Sequence, residues 1–186
     1  MISTHNQRVT MKKRAIIVSI LLHALLLMTV YVFQHVVFPF MRLGGLVPLL
    51  LPVASTGIAL YEGRDTGGVT GLFAGILCDI SFNQPAGVFT VLLTLTGLFV
   101  GALADSYILR GFVTFYISVA LVLIISAFVQ MFPLLISTTI NVPMQALTQT
   151  AIGQTIYSLI LALPIWIFVR AISKHTERTT PTRRST

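Results

Sequence analysis

Residues 71–79 read GLFAGILCD, and residues 97–105 read GLFVGALAD. Six of the nine positions are identical at a separation of 26 residues, and both copies lie inside apolar stretches. Gly71, Gly75 and Asp79 stand four residues apart, as do Gly97, Gly101 and Asp105. At about 3.6 residues per turn, such positions share one face of an α-helix. Each stretch therefore predicts an apolar helix whose glycine groove ends in a carboxylate. In lipid, small residues at this spacing let helix backbones approach closely, and packing drives association. The repeat thus predicts a surface built for helix–helix contact. It is equally compatible with a local duplication and with coincidence in a biased composition.

The rest of the chain places that surface in a membrane. Of its 186 residues, 55% are hydrophobic and only 9% charged, with a mean hydropathy of +0.92. A soluble domain carries roughly 25% charged residues, so the composition predicts an integral membrane protein with no separate soluble domain. The single cysteine, Cys78, excludes an intrachain disulfide and a cysteine-based metal cluster. The apolar run after Arg14 is too long for a signal-peptide core and lacks an A-x-A cleavage site, so it reads as a retained span.

A spanning helix needs about 20 apolar residues. Six candidates follow: 15–38, 44–61, 66–82, 86–104, 111–135 and 149–170. Polar or proline-bearing turns separate them, among them Glu62-Gly63-Arg64-Asp65 and Asn83-Gln84-Pro85. Pro48 and Pro52 predict a kinked second span packed inside a bundle. Three regions result: a basic cytoplasmic N-terminus (1–14), a six-helix membrane domain (15–170), and a basic cytoplasmic tail expected to be disordered (171–186).

The basic residues test this count. With six spans, Arg8, Lys12, Lys13, Arg14, Arg64, Arg110, Arg170, Lys174, Arg178, Arg183 and Arg184 share one side, and Arg42 alone faces the other. Such a split predicts both termini in the cytoplasm of a multi-pass protein, and a five-span count would put one basic terminus outside. The formal net charge of +7 therefore speaks of orientation rather than nucleic acid. The tail reads as a stop signal in contact with anionic lipid.

Few residues could do chemistry. The acidic residues are Glu62, Asp65, Asp79, Asp105 and Glu177, and only Asp79 lies within an apolar span. Because it shares the glycine face, Asp79 is expected to turn inward and bond to hydroxyls or backbone amides, the alternative being an interfacial carboxylate in water. Asp105 and Arg110 are placed at the cytoplasmic mouth of the fourth span, where a solvated loop or an ion pair fits. His23 is expected to be a hydrogen-bonded core histidine, and Gln34 and His35 to be interfacial. There is no H-E-x-x-H, G-x-S-x-G or P-loop, and no acidic cluster for paired divalent cations. The chain reads as non-enzymatic, with no catalytic residue, cofactor or metal.

The run from Glu62 to Asp79, EGRDTGGVTGLFAGILCD, followed by Gly87, resembles the MreD family of bacterial rod-shape-determining proteins. In that family a loop leads into a G-x3-G-x3-G-x3-D run in a central span, with a further glycine shortly after. Gly67, Gly71, Gly75, Asp79 and Gly87 match the pattern, and the specific part covers about 45 residues. The resemblance implies a non-enzymatic subunit of the elongasome in the bacterial cytoplasmic membrane, supporting cell-wall elongation and cell shape. Implied partners are a bitopic MreC-type protein, a RodA-type glycosyltransferase with its transpeptidase, and, indirectly, actin-like MreB. The basic tail is longer than the family suggests. The alternative is a substrate-binding subunit of an energy-coupling-factor vitamin transporter, which is similar in size and span number. Its expected small-residue stripe in the first span is poorly matched by residues 15–24, and its expected outer-loop polar groups are sparse over 136–148.

Overall fold

The computed structural model describes residues 21–37, 47–82, 87–107, 111–136 and 144–179, and within them the chain is helical with no strand. Helix α1 is described from residue 21, runs as an α-helix to residue 32, and widens into a π turn, Phe33–Val37. It is followed by α2 (Leu50–Glu62), α3 (Arg64–Phe82), α4 (Val88–Tyr107), α5 (Phe112–Ile136) and α6 (Met144–Thr179).

The short helix α2 is the axis of the fold. Its residues from Leu51 to Leu60 are all buried, and α3, α4, α5 and α6 all pack on it. A helix that is apolar on every side must sit in a core. At about 1.5 Å per residue, its 13 residues reach only about 20 Å, short of a hydrocarbon layer of about 30 Å. The chain enters α2 through the non-helical residues 47–49.

Two expectations about this region are corrected. Pro48 precedes the helix and Pro52 lies in its first turn, where no intrahelical bond is lost, so neither proline kinks α2. Glu62 is not in the polar turn: it is the last residue of α2 and is buried. Part of the expected second span, 44–46, lies outside the described residues. At the other end of the chain, α6 continues to Thr179, into the stretch expected to be a disordered tail. The N-terminal region 1–14 and residues 180–186 lie outside the described residues.

The outer surface is that of a protein solvated by lipid. Large apolar side chains line the outward faces, including Phe128, Ile80 and Val113, each about two-thirds exposed or more (71%, 69% and 67%). Among the described residues, three helices are long and apolar enough to cross a membrane: Val88–Ser106, Phe112–Gln130 and Gln149–Ser173. Helix α3 has 19 residues but carries Arg64, Asp65 and Asp79. The described part of the first helix forms a shorter apolar helix, Leu21–Val36.

Candidate functional site

Helices α3 and α4 form the tightest pair in the fold, and the glycines of the repeat are the reason. A methyl group added at Gly67 would lie 2.6 Å from the carbonyl oxygen of Gly97. One at Gly97 would strike the carbonyl of Gly67, one at Gly71 the carbonyl of Leu93, and one at Gly75 the Cα of Thr90. One at Gly101 would meet the Cα of Arg64 at 2.6 Å. The obstacles are backbone atoms, which no rotamer change can move. The helices touch main chain to main chain, which is the close approach that glycine permits.

Each aspartate then closes the far end of its partner helix. Asp79, at the end of α3, accepts hydrogen bonds at the start of α4. Its Oδ2 accepts from the amides of Gly87 (3.0 Å) and Thr90 (3.1 Å) and from the Thr90 hydroxyl (2.6 Å). Its Oδ1 accepts from the amide of Phe89 (2.9 Å). These are donors that a helix start leaves without intrahelical partners. Gly87 opens α4 with a φ of 96°, a left-handed conformation that suits glycine. The carboxylate supplied from α3 thus does what a capping side chain at Gly87 would do, and it sits at the positive end of the helix dipole.

Asp105 repeats the arrangement at the other end of the pair. Its Oδ2 accepts from the amide of Arg64, the first residue of α3, at 3.0 Å. Gly63 precedes it with a φ of 88°, and a Cβ there would lie 2.6 Å from Asp105 Oδ1. Shifting the numbering by the 26-residue repeat maps the contacts onto one another. The Gly97–Gly67 contact becomes Gly71–Leu93, and Gly101–Arg64 becomes Gly75–Thr90. The bond from the Arg64 amide to Asp105 becomes the bond from the Thr90 amide to Asp79. The sequence repeat is therefore a local two-fold axis running between two antiparallel helices. The two ends differ in depth: Asp79 is half-buried with four bonds, and Asp105 is exposed with one. Arg110 lies outside the described residues, so the expected Asp105–Arg110 contact does too.

Around this hairpin, polar side chains that sequence reasoning placed elsewhere, or passed over, hold α2. Gln34, expected at the interface, is wholly buried in the π turn of α1. Its Oε1 accepts from the amides of Leu50 (2.9 Å) and Leu51 (3.2 Å) at the start of α2. Ser158 Oγ accepts from the amide of Leu49 (2.8 Å), and Gln154 donates to the carbonyl of Val47 (2.8 Å). Irregular backbone at this depth is tolerated only when protein groups satisfy it. At the other end of α2, Glu62 lies 3.7 Å from His23 Nε2, and both are buried. Helix α1 is thus held to α2 by polar contacts at both ends. Glutamine in an apolar run is the one sequence signal that could have marked Gln34; nothing local marks Glu62, because α1 buries it from a distance.

The end of α2, the start of α5 and the second half of α6 carry an aromatic cluster. Trp166 donates to the Tyr61 hydroxyl at 2.8 Å and packs edge-on against Phe112, with the Arg170 guanidinium 5.0 Å from its ring. Among the described residues there is no group of three or more His, Cys, Asp or Glu side chains able to hold a metal ion.

The profile of the rod shape-determining protein MreD matches residues 4–175 of the chain. The chain belongs to the MreD family. No curated protein and no solved structure gives a match. The family makes this a rod shape-determining membrane protein, and the chain's run from Gly67 to Asp79 lies on α3.

Proposed function

We propose that this chain is a non-enzymatic, multi-pass subunit of the elongasome in the bacterial cytoplasmic membrane, with six spans and both ends in the cytoplasm. The observation that carries the reading is the family match across nearly the whole chain. The geometry supports a holding role. The repeat's glycines and aspartates join two helices of the same chain, and α2 is sealed at both ends by buried polar groups, so the bundle has a fixed shape. The aromatic cluster with Arg170, at the same end of α2 as Arg64, supports placing that end at the cytoplasmic interface, where aromatic rings and basic residues collect.

The glycine faces are occupied within the chain, so partners would bind through the outward apolar faces. In this reading those partners are an MreC-type bitopic protein and a RodA-type glycosyltransferase with its transpeptidase, and MreB is reached indirectly. Affinity purification from native membranes with mass spectrometry is expected to recover these proteins, and depletion is expected to turn rod-shaped cells round and swollen. Recovery of transport ATPases with intact cell shape would replace the reading with the vitamin-transporter alternative. Nothing among the described residues favours that alternative, and most of the outer-loop stretch it depends on, 137–143, lies outside them.

A further inference from the structure

Helices α4 and α5 touch little, and a groove of about 570 Å³ opens between them. Its floor is Val100 and Val122, both buried, and its walls include Leu95 and Phe99 on α4 and Leu121 and Ile125 on α5. The lining is almost wholly apolar except at one end, where Arg64 enters it. Among the described residues, no carboxylate lies within ion-pair distance of the Arg64 guanidinium, and its side chain is exposed.

Position and length decide what fits. Arg64 lies beside Gly101, near the end of α4. From there to Leu95 is about 10 Å along the helix at about 1.5 Å per residue. Leu121 and Ile125 lie about 14–20 Å from the start of α5 on the same scale. The groove thus runs about 10 Å from the cation along α4, most of the depth of one leaflet in a hydrocarbon layer of about 30 Å. The headgroup-proximal part of an acyl chain has that length, and a phosphate is the group that a planar guanidinium grips best. The carboxylate of Asp105 bonds the Arg64 amide at 3.0 Å, and Asp65 is the next residue. The Asp105 carboxylate at the Arg64 amide disfavours a headgroup with net negative charge and offers a partner to an ammonium.

We propose that this groove holds one phosphatidylethanolamine molecule, with an acyl chain between α4 and α5, the phosphate on Arg64 and the ammonium facing Asp105. The proposal rests on the membrane reading and not on the rod complex, so it stands or falls independently of partner recovery. The test uses the full-length protein in bilayer nanodiscs of equal phosphatidylethanolamine, phosphatidylglycerol and phosphatidylcholine. Lipid retained after detergent exchange is read by native mass spectrometry. One phosphatidylethanolamine per chain is expected, enriched about tenfold over the other two, the ratio that one good charged contact supplies. Arg64→Gln keeps the backbone amide that Asp105 needs and is expected to lose the retained lipid, because it removes the partner of the phosphate. Arg170→Gln removes an exposed cation above Trp166 and is expected to leave the enrichment intact. Equal retention of all three lipids, preference for phosphatidylglycerol, persistence in Arg64→Gln, or equal loss in Arg170→Gln overturns the proposal.

Discussion

Replacing Asp79 by alanine removes four hydrogen bonds at once and leaves the start of α4 without its cap. The amides of Gly87, Phe89 and Thr90 then lose their bonds to the carboxylate in a half-buried site. A stranded buried donor costs about 1–3 kcal/mol, and loss of a helix cap typically costs about 1 kcal/mol. Allowing for partial exposure, a loss of about 3–5 kcal/mol is expected, a large fraction of a typical folding free energy. Asparagine separates the contributions. With its carbonyl at the Oδ2 position it keeps the bonds to Gly87 and Thr90, but its amide then faces the Phe89 N–H, donor against donor, so about 1–2 kcal/mol is expected. Asp105→Ala removes one exposed bond and is expected to cost under about 1 kcal/mol. The protein carries its own reporter: Cys78 is its only cysteine and is wholly buried, so a thiol-reactive fluorophore reports unfolding in detergent as the thiol emerges. The expected order of melting temperatures is wild type, Asp105→Ala, Asp79→Asn, Asp79→Ala, from highest to lowest. Equal effects of alanine at Asp79 and Asp105 would refute the reasoning, because the sequence repeat makes them equivalent and only their surroundings separate them.

Other positions give sharper yes-or-no outcomes. Gly75→Leu is expected to separate α3 from α4 and to abolish both folding in detergent and complementation of shape, since the added carbons meet the Thr90 backbone, whereas Leu72→Ile on the exposed face is expected to behave as wild type. Gln34→Leu strands the amides of Leu50 and Leu51 and is expected to cost about 2–4 kcal/mol by the same thiol assay, with an unchanged melting temperature counting against the sealed end of α2. For topology, a cysteine at Gln84 in a Cys78→Ser background is expected to react with an impermeant reagent from outside the cell, and one at Ser185 only after the membrane is opened. Reversed labelling would overturn the cytoplasmic placement of the ends.

What was legible in the sequence follows from the range of the interactions. Apolar length located α3, α4 and α5 within about two residues at most ends, because helix formation in lipid depends on local hydrophobicity. The glycine spacing showed a contact face, since periodicity encodes which residues share a side. It did not show what the face meets. GxxxG serves equally for a helix of the same chain or of a partner, and only the fold shows that Gly67 and Gly97 meet each other. Glu62, Gln34 and Ser158 were misplaced or missed for a related reason. Their burial comes from helices far away in the chain: Ser158 reaches Leu49 across more than 100 residues. A polar residue beside a turn looks solvated until a distant helix covers it.

The two-fold relation between α3 and α4 bears on why glycine and aspartate occur together in this motif. At the start of α3 the Asp105 carboxylate itself occupies the place a capping side chain at Gly63 would take, and at the start of α4 Gly87 has a left-handed φ that favours glycine, so neither start carries a capping side chain of its own. Yet each start still exposes amides that lipid cannot satisfy. A carboxylate at the end of the opposite helix, one turn beyond the last glycine, reaches those amides only if the backbones are already close. The glycines thus bring the helix ends within reach of the aspartates, and the aspartates supply acceptors to the amides at both starts. Either element alone would be unfavourable. On this basis, combining Gly75→Leu with Asp79→Ala is expected to destabilise much less than the sum of the two single changes, because displacing α4 already breaks the bonds to Asp79. The comparison needs a folded background, so Gly75→Ala is the practical partner, read in a double-mutant cycle by the Cys78 assay. Full additivity would mean that the cap does not depend on the close approach, and the coupling between glycine face and carboxylate would be wrong.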